Sequence, residues 1–117
     1  MISIVVKMAK DRTYSRYTRE ASVLLARQVR LGRKRRKWTE HELAERAGIS
    51  RATLQKIEKG DLSVAIGLVF EVAALVGVTL FDDERTALAA HIARTEDKLA
   101  LLPGSVRRRI RPIDDEF

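Results

Sequence analysis

Cysteine is absent from the 117 residues of this chain, and its two prolines, Pro103 and Pro112, both lie near the C-terminal end. The lack of cysteine excludes a disulfide framework and a thiolate-bound metal, and it fits a reducing compartment. Because the first 102 residues contain no proline, no helix in that stretch is broken by one. No apolar run approaches the roughly 18–20 residues that span a bilayer. We therefore expect a soluble cytoplasmic protein that has no membrane partner.

Positive charge is concentrated in the first half of the chain. The whole sequence has 23 Lys or Arg and 16 Asp or Glu, which gives a net charge of +7. Residues 1–60 carry 16 basic and 6 acidic side chains, a net of +10, whereas residues 61–102 carry 3 and 7, a net of −4. Residues 103–117 add +1. A basic segment of this kind indicates an acidic partner, most often nucleic acid.

Capping residues and the spacing of apolar residues predict five helices. The expected helix starts are Thr18, Thr39 (in a capping box with Glu42), Ser50, Ser63 and the acidic run of Asp82, Asp83 and Glu84. The expected ends of the first four are Arg36, Gly48, Gly60 and Gly77. The fourth helix is apolar on nearly all sides, and the fifth has an apolar stripe of Leu88, Ile92, Leu99 and Leu102. An all-α domain follows.

The two ends of the chain differ from this helical middle. Apart from Ser3, residues 2–6 are β-branched and apolar. This run is too short for a signal peptide, and we expect it to form either a short strand or a disordered arm. We expect an N-terminal extension over residues 1–17, one DNA-binding and dimerisation domain over 18–102, and a flexible charged tail over 103–117. A chain of this length has room for a single core.

The segment from Glu40 to Lys59 has the spacing of two helices that cross closely. Ala44 is small where the helices approach, and Gly48 tolerates the positive φ of a tight turn. Leu54 and Ile57 are expected to close the core beneath the turn, together with Leu43. Together, these five residues at their fixed spacing predict a helix-turn-helix.

This segment reads Thr39-Glu-His-Glu-Leu-Ala-Glu-Arg-Ala-Gly-Ile-Ser-Arg-Ala-Thr-Leu-Gln-Lys-Ile-Glu-Lys-Gly60 and resembles the repressor-type (Xre/Cro) helix-turn-helix. The resemblance covers about residues 21–80 and implies a five-helix, lambda-repressor-like fold. It also implies a sequence-specific regulator that binds double-stranded DNA. In that family the first residues of the third helix enter the major groove.

The resemblance assigns roles to individual residues. Arg51 suits bidentate hydrogen bonding with guanine, and Gln55 suits adenine. The hydroxyls of Ser50 and Thr53, with Lys59, suit phosphates. The implied DNA-binding residues are Arg33, Thr39, Ser50, Arg51, Ala52, Thr53, Gln55, Lys56 and Lys59.

Two further positions bear on this assignment. Arg33 and Glu58 match a buried ion pair of the family that joins the first helix to the third. Glu40 stands where the family commonly has a Gln that contacts the DNA backbone, and a carboxylate there would repel phosphate. The basic run at residues 33–37 offers compensation, although it also suits a solvated helix end.

The flanks narrow the resemblance to HipB-like antitoxins. The matching stretches are Tyr14-Ser-Arg-Tyr-Thr-Arg-Glu-Ala, Ile66-Gly-Leu-Val-Phe-Glu-Val-Ala, Leu80-Phe81, Leu101-Leu102-Pro103, Val106-Arg107-Arg108-Arg109 and Asp114-Asp115-Glu116-Phe117. This resemblance implies a nucleoid-associated homodimer that binds a palindromic operator and regulates its own operon. It also implies a HipA-like serine/threonine kinase toxin as the partner. The surplus apolar surface of the fourth helix agrees with a dimer, or else it covers the fifth helix.

Signals for catalysis or cofactors are missing. His41 and His91 are 50 positions apart, and Glu45 stands where a zinc-protease helix needs its second His. No glycine opens a phosphate-binding loop. We therefore predict a protein that is not an enzyme and takes no metal or cofactor. The alternatives to an antitoxin are a stand-alone regulator and a protein-interaction inhibitor with vestigial DNA binding.

Overall fold

Five α-helices make up the described part of the chain. The computed structural model describes residues 12–81, 87–106 and 108. The helices are α1 (Arg16–Arg35), α2 (Glu40–Ala47), α3 (Arg51–Lys59), α4 (Ile66–Leu75) and α5 (Leu88–Ala100). No strand occurs among these residues, so the predicted all-α fold is confirmed. The strand or disordered arm expected at residues 2–6 and most of the expected tail lie outside the described residues.

The chain divides into two compact units, one ending at Asp82 and the other beginning at Asp83. The first unit contains α1 to α4, and α5 is the helix of the second. The domain predicted over residues 18–102 spans this division and stays a prediction. No helix in the described ranges is long and apolar enough to cross a membrane.

A small apolar core holds the first unit together. Leu43 and Leu54 are fully buried between α2 and α3, and Ile57 lies beside them. Val29 of α1 and Val72 of α4 are the other two of the largest fully buried side chains. Burying each such side chain stabilises the fold by about 1.5–3 kcal/mol. The prediction that Leu43, Leu54 and Ile57 close the core is confirmed.

The turn between α2 and α3 has the predicted chemistry. The hydroxyl of Thr39 accepts from the backbone N–H of Glu42 at 3.0 Å, and the Glu42 carboxylate accepts from the backbone N–H of Thr39 at 2.8 Å. This is the predicted capping box. Gly48 ends α2 with a φ of 69°, and Ser50 caps α3 by accepting from the N–H of Thr53. These contacts fix where both helices begin.

The first helix packs so closely on the end of α4 that only a glycine fits at the crossing. A Cβ at Gly32 would lie 2.6 Å from the carbonyl oxygen of Val76 and 2.9 Å from its Cβ. The nearest atom belongs to the backbone and the next is a Cβ, and neither can turn aside as the end of a flexible side chain can. Gly32 therefore sets the distance between α1 and the residue that caps α4.

Two of the predicted helix starts are wrong. The first helix begins at Arg16, because Ser15 and not Thr18 is its N-cap and accepts from the N–H of Thr18. Ser63 does not cap α4, because its N–H and hydroxyl both donate to Asp61, at 2.8 and 2.6 Å. The helix instead begins after Ala65 with no side-chain cap. The acidic cap predicted for α5 lies outside the described residues.

The end of α1 is a tight stop built without glycine. Lys37 has a φ of 61°, in the left-handed region, and its N–H donates to the carbonyl of Lys34 at 2.9 Å. The N–H of Trp38 donates to the carbonyl of Arg33 at 3.2 Å. This pair of hydrogen bonds is a Schellman motif, which usually has glycine at the position of Lys37. Lys37 thus adopts a conformation that costs an L-residue about 1–2 kcal/mol.

Candidate nucleic-acid interface

The outer face of α3 is where most of the predicted DNA-binding residues lie. The inner face of this helix carries Leu54 and Ile57, which are buried in the core. Arg51, Ala52, Lys56 and Lys59 are exposed, as are Thr39 and Ser50 before the two helices, whereas Thr53 and Gln55 are half-buried. Arg33 alone among the predicted residues is buried. The structure thus leaves eight of the nine predicted residues accessible to a ligand.

The positive charge of Arg51 lies at the N-terminal end of α3, where it destabilises the helix. Arg51 is the first residue of α3, whose first turn has no acidic side chain. The N-terminus of a helix carries partial positive charge, so a cation there is unfavourable. The side chain of Arg51 is 64% exposed. A residue that lowers helix stability and points into solvent is suited to binding an anionic or hydrogen-bond-accepting partner.

One carboxylate oxygen connects the two predicted base-reading residues. Oε1 of Glu40 accepts from Nε of Arg51 at 3.3 Å and from Nε2 of Gln55 at 3.1 Å. Glu40 is the first residue of α2, so this oxygen ties the starts of two helices. The hydrogen bond from Gln55, and then that from Arg51, holds the pKa of Glu40 below its usual range. The carboxylate is therefore charged at neutral pH.

The hydroxyls predicted to bind phosphate also hold the helix starts. The Ser50 hydroxyl donates to the Thr53 hydroxyl at 2.9 Å and accepts from the Thr53 N–H at 3.0 Å. Thr39 holds the capping box of α2. Each of these side chains therefore has a local structural role, and a phosphate contact would come in addition to it.

Arg33 and Glu58 form the buried pair that the sequence predicted. Nε of Arg33 donates to Oε2 of Glu58 at 2.7 Å, and Nη2 donates to Oε1 at 3.0 Å. Nη1 donates to the carbonyl of Trp38 at 3.0 Å. Hydrogen bonding to Glu58 raises the pKa of Arg33 although burial opposes this. Arg33 therefore holds α3 against α1 and does not present its guanidinium to solvent.

The basic run at residues 33–37 is partly structural. Nη1 of Arg36 donates to the carbonyl of Val76 at 2.7 Å. Arg36 also lies 5.7 Å from the ring centre of Trp38, and Arg46 lies 4.2 Å from it. These cation–π contacts link the end of α1 to α2. Sequence reasoning missed them, because the ring and its cations meet only once the helices cross.

Lys34, Arg35 and Lys37 are the exposed members of this run for which the structure gives no side-chain hydrogen bond, ion pair or ring contact, unlike Arg36. They are therefore the members best placed to meet phosphates. Metal binding has no comparable candidate, since the described residues include no group of His, Asp and Glu that could hold an ion.

Comparison with known proteins identifies a helix-turn-helix region in this chain. A helix-turn-helix family model matches residues 29–82, which include the last seven residues of α1 and all of α2, α3 and α4. No curated protein and no solved structure matches the chain. The matched range contains every residue of the surface described above.

Proposed function

We propose that this chain, a sequence-specific DNA-binding transcriptional regulator with a repressor-type helix-turn-helix at residues 29–82, is the antitoxin of a HipA-like serine/threonine kinase toxin. In this proposal it binds a palindromic operator at the nucleoid as a homodimer, represses its own operon and restrains the kinase, with no enzymatic activity of its own. The observation that carries the DNA-binding part is the pair of Arg51 and Gln55, held side by side on the exposed start of α3.

The start of α3 supports base reading in the major groove. The guanidinium of Arg51 can donate two hydrogen bonds to O6 and N7 of guanine. The Gln55 amide can serve adenine, and the methyl of Ala52 leaves room for close approach or contacts a thymine methyl. Each bidentate pair contributes about 1–3 kcal/mol of discrimination. These roles require side chains that are exposed or half-exposed, which all three are.

Phosphate binding is assigned to residues on either side of this helix start. Lys56 and Lys59 lie on the exposed face of α3, and Ser50, Thr53 and Thr39 lie at the helix starts. Contacts of this kind position the protein without reading sequence. Arg33 supports the surface from within, through Glu58.

An apolar surface on α4 supports the homodimer. Ile66 is 68% exposed, and Leu68 and Phe70 remain partly exposed. Phe70 packs edge-to-face with Phe81, whose ring is itself exposed, at a centroid distance of 6.4 Å. A second copy would bury these side chains by two-fold symmetry. Such a dimer places two recognition helices about 34 Å apart on a palindrome.

A second apolar row supports a protein partner besides the dimer. Tyr17, Leu24 and Leu31 lie seven residues apart on α1 and are exposed, with Val23 beside them. Arg16, Arg19 and Arg27 border this row. Seven-residue spacing keeps the three side chains on one face of the helix. Together with the HipB-like flanks, this second surface favours an antitoxin over a stand-alone regulator.

Two measurements test the proposal. Footprinting on the promoter of its own operon should show a palindromic site, and the protection should disappear for the double variant Arg51→Ala and Gln55→Ala. Arg94→Ala, an exposed arginine of α5, is the matched control and should leave protection unchanged.

The antitoxin role needs a second readout, which is phosphorylation by the kinase encoded beside this chain. The wild-type protein should suppress that activity when added in stoichiometric amounts. Full operator binding without suppression would make the chain a stand-alone regulator, and suppression without any operator binding would make it an inhibitor alone.

A further inference from the structure

Glu40 is the one acidic side chain that touches the proposed base-reading residues in the described structure. Its side chain is 29% exposed, against 64% for that of Arg51. The sequence suggests only that this carboxylate repels phosphate. The contacts show instead that it occupies one hydrogen-bonding edge of each of two neighbours.

The contact with Arg51 constrains the orientation of its guanidinium. The group is planar and carries five N–H donors. Because Nε faces Glu40, the plane is fixed on one side, while the donors of Nη1 and Nη2 remain for another acceptor. Two parallel donors at the end of a fixed plane match O6 and N7 of guanine.

The contact with Gln55 orients the amide in the same way. One hydrogen of Nε2 points to Glu40, which leaves the second hydrogen and Oε1 on the remaining side. This arrangement offers an acceptor and a donor together, as adenine requires. Without Glu40 the amide could rotate by half a turn and exchange its donor and acceptor.

From these contacts we propose that Glu40 sets the sequence selectivity of the α3 surface, by holding Arg51 and Gln55 in the orientations that read guanine and adenine. It acts as a positioning residue, and the inference rests on the proposed base-reading role of its two partners. Its negative charge weakens binding to any DNA, because it opposes phosphate. Its bonds favour only the sequence that the oriented partners match. Glu40 therefore lowers overall affinity and raises discrimination.

The experiment compares three variants with the wild-type protein. Glu40→Gln removes the charge at nearly constant shape, and Glu40→Asp keeps the charge but withdraws it by one methylene. Glu45→Gln is the matched control, because Glu45 is exposed on the same helix and pairs with His41 at 3.5 Å instead of with Arg51. Fluorescence anisotropy gives Kd for the operator, for operators with each base pair replaced in turn, and for random DNA at one salt concentration.

Glu40→Gln should bind random DNA several-fold more tightly. Because its neutral amide oxygen accepts more weakly than a carboxylate, it should also lose several-fold in discrimination at the base pairs read by Arg51 and Gln55. Glu40→Asp should lose discrimination at the same base pairs without the gain on random DNA. Glu45→Gln should gain on random DNA and keep full discrimination. Unchanged discrimination in both Glu40 variants would overturn the inference.

A separate variant distinguishes that failure from failure of the proposed function. If the double variant Arg51→Ala and Gln55→Ala abolishes discrimination while both Glu40 variants retain it, only the positioning role of Glu40 is contradicted. If the double variant itself retains discrimination, then base reading by these residues is wrong and the inference falls with it. Circular dichroism on every variant checks that the helices remain folded.

Discussion

Arg33 and Glu58 face each other inside the first unit through two parallel hydrogen bonds, of 2.7 and 3.0 Å. Their side chains are only 8% and 6% exposed. Removing one partner leaves an uncompensated buried charge, which typically costs 3–5 kcal/mol. Because Glu58 is on α3 and Arg33 on α1, this pair fixes the helix that we assign to the major groove.

Arg33→Ala and Glu58→Ala should therefore each lower the free energy of unfolding by about 3–5 kcal/mol in urea titrations followed by circular dichroism. Arg16→Ala is the control, since the pair of Arg16 and Glu20 is exposed and contributes at most about 1 kcal/mol. Equal losses in the buried and the exposed pair would show that burial of the first pair does not matter.

Gly32→Ala should destabilise the fold by about 1–3 kcal/mol, because the new Cβ would overlap the backbone of Val76. Helix propensity alone predicts the opposite, a gain of about 1 kcal/mol. Gly67→Ala tests that propensity gain, as a Cβ at Gly67 meets no atom within 4 Å. Thermal unfolding of both variants should thus give shifts of opposite sign. A gain in both would contradict the close approach of α1 to Val76.

Lys37→Gly should stabilise the protein by about 0.5–1 kcal/mol, because Lys37 has a φ of 61° and glycine adopts this conformation without strain. Lys37→Ala keeps the strain and removes only the charge, so it should change stability little. Urea titration of the two variants separates the backbone effect from the charge effect. A gain from alanine equal to that from glycine would contradict the backbone explanation.

Acid should destabilise the fold through carboxyl groups at the helix starts. The backbone N–H of Thr39 lowers the pKa of Glu42 below its ordinary value of 4.5, and hydrogen bonds from Gln55 and Arg51 lower the pKa of Glu40. A group whose pKa is lower in the folded state binds fewer protons there, so its stabilisation is complete above the ordinary value and is lost as pH falls through the folded value.

The midpoint of thermal unfolding should therefore hold steady from pH 7 to about 5 and fall at lower pH. Glu42→Gln should have a lower midpoint at pH 7 and a shallower fall in acid, because it has no proton to take up. Parallel curves for the variant and the wild-type protein would show that the capping box does not contribute to the acid dependence.

Local patterns made the helix-turn-helix predictable. A capping box such as Thr39 with Glu42, or a glycine at a left-handed stop such as Gly48, depends on neighbours a few residues away. The buried positions of Leu43, Leu54 and Ile57 follow from their spacing. The pairing of Arg33 with Glu58 spans 25 residues, and it was predictable because the resemblance supplied both positions.

Contacts between helices were harder to predict. The meeting of Glu40 with Arg51 and Gln55 depends on the angle at which α2 and α3 cross, which composition and spacing do not give. The stop at Lys37 was obscured for a different reason, since the usual glycine signal is missing there. Thr18 was mistaken for a cap because Ser15, three residues earlier, has the same capping chemistry.

The central claim is that the start of α3 reads bases through Arg51 and Gln55, and discrimination by Arg51→Ala tests it most directly. The measurement is Kd by fluorescence anisotropy. It is made for an operator selected from random DNA, and for a set of variants of that operator in each of which a single guanine is replaced. The wild-type protein should lose about tenfold or more at one guanine in each half-site, and Arg51→Ala should bind the original and replaced sites equally at that position. If Arg51→Ala still loses as much at that guanine as the wild-type protein does, Arg51 does not read it and the account is contradicted.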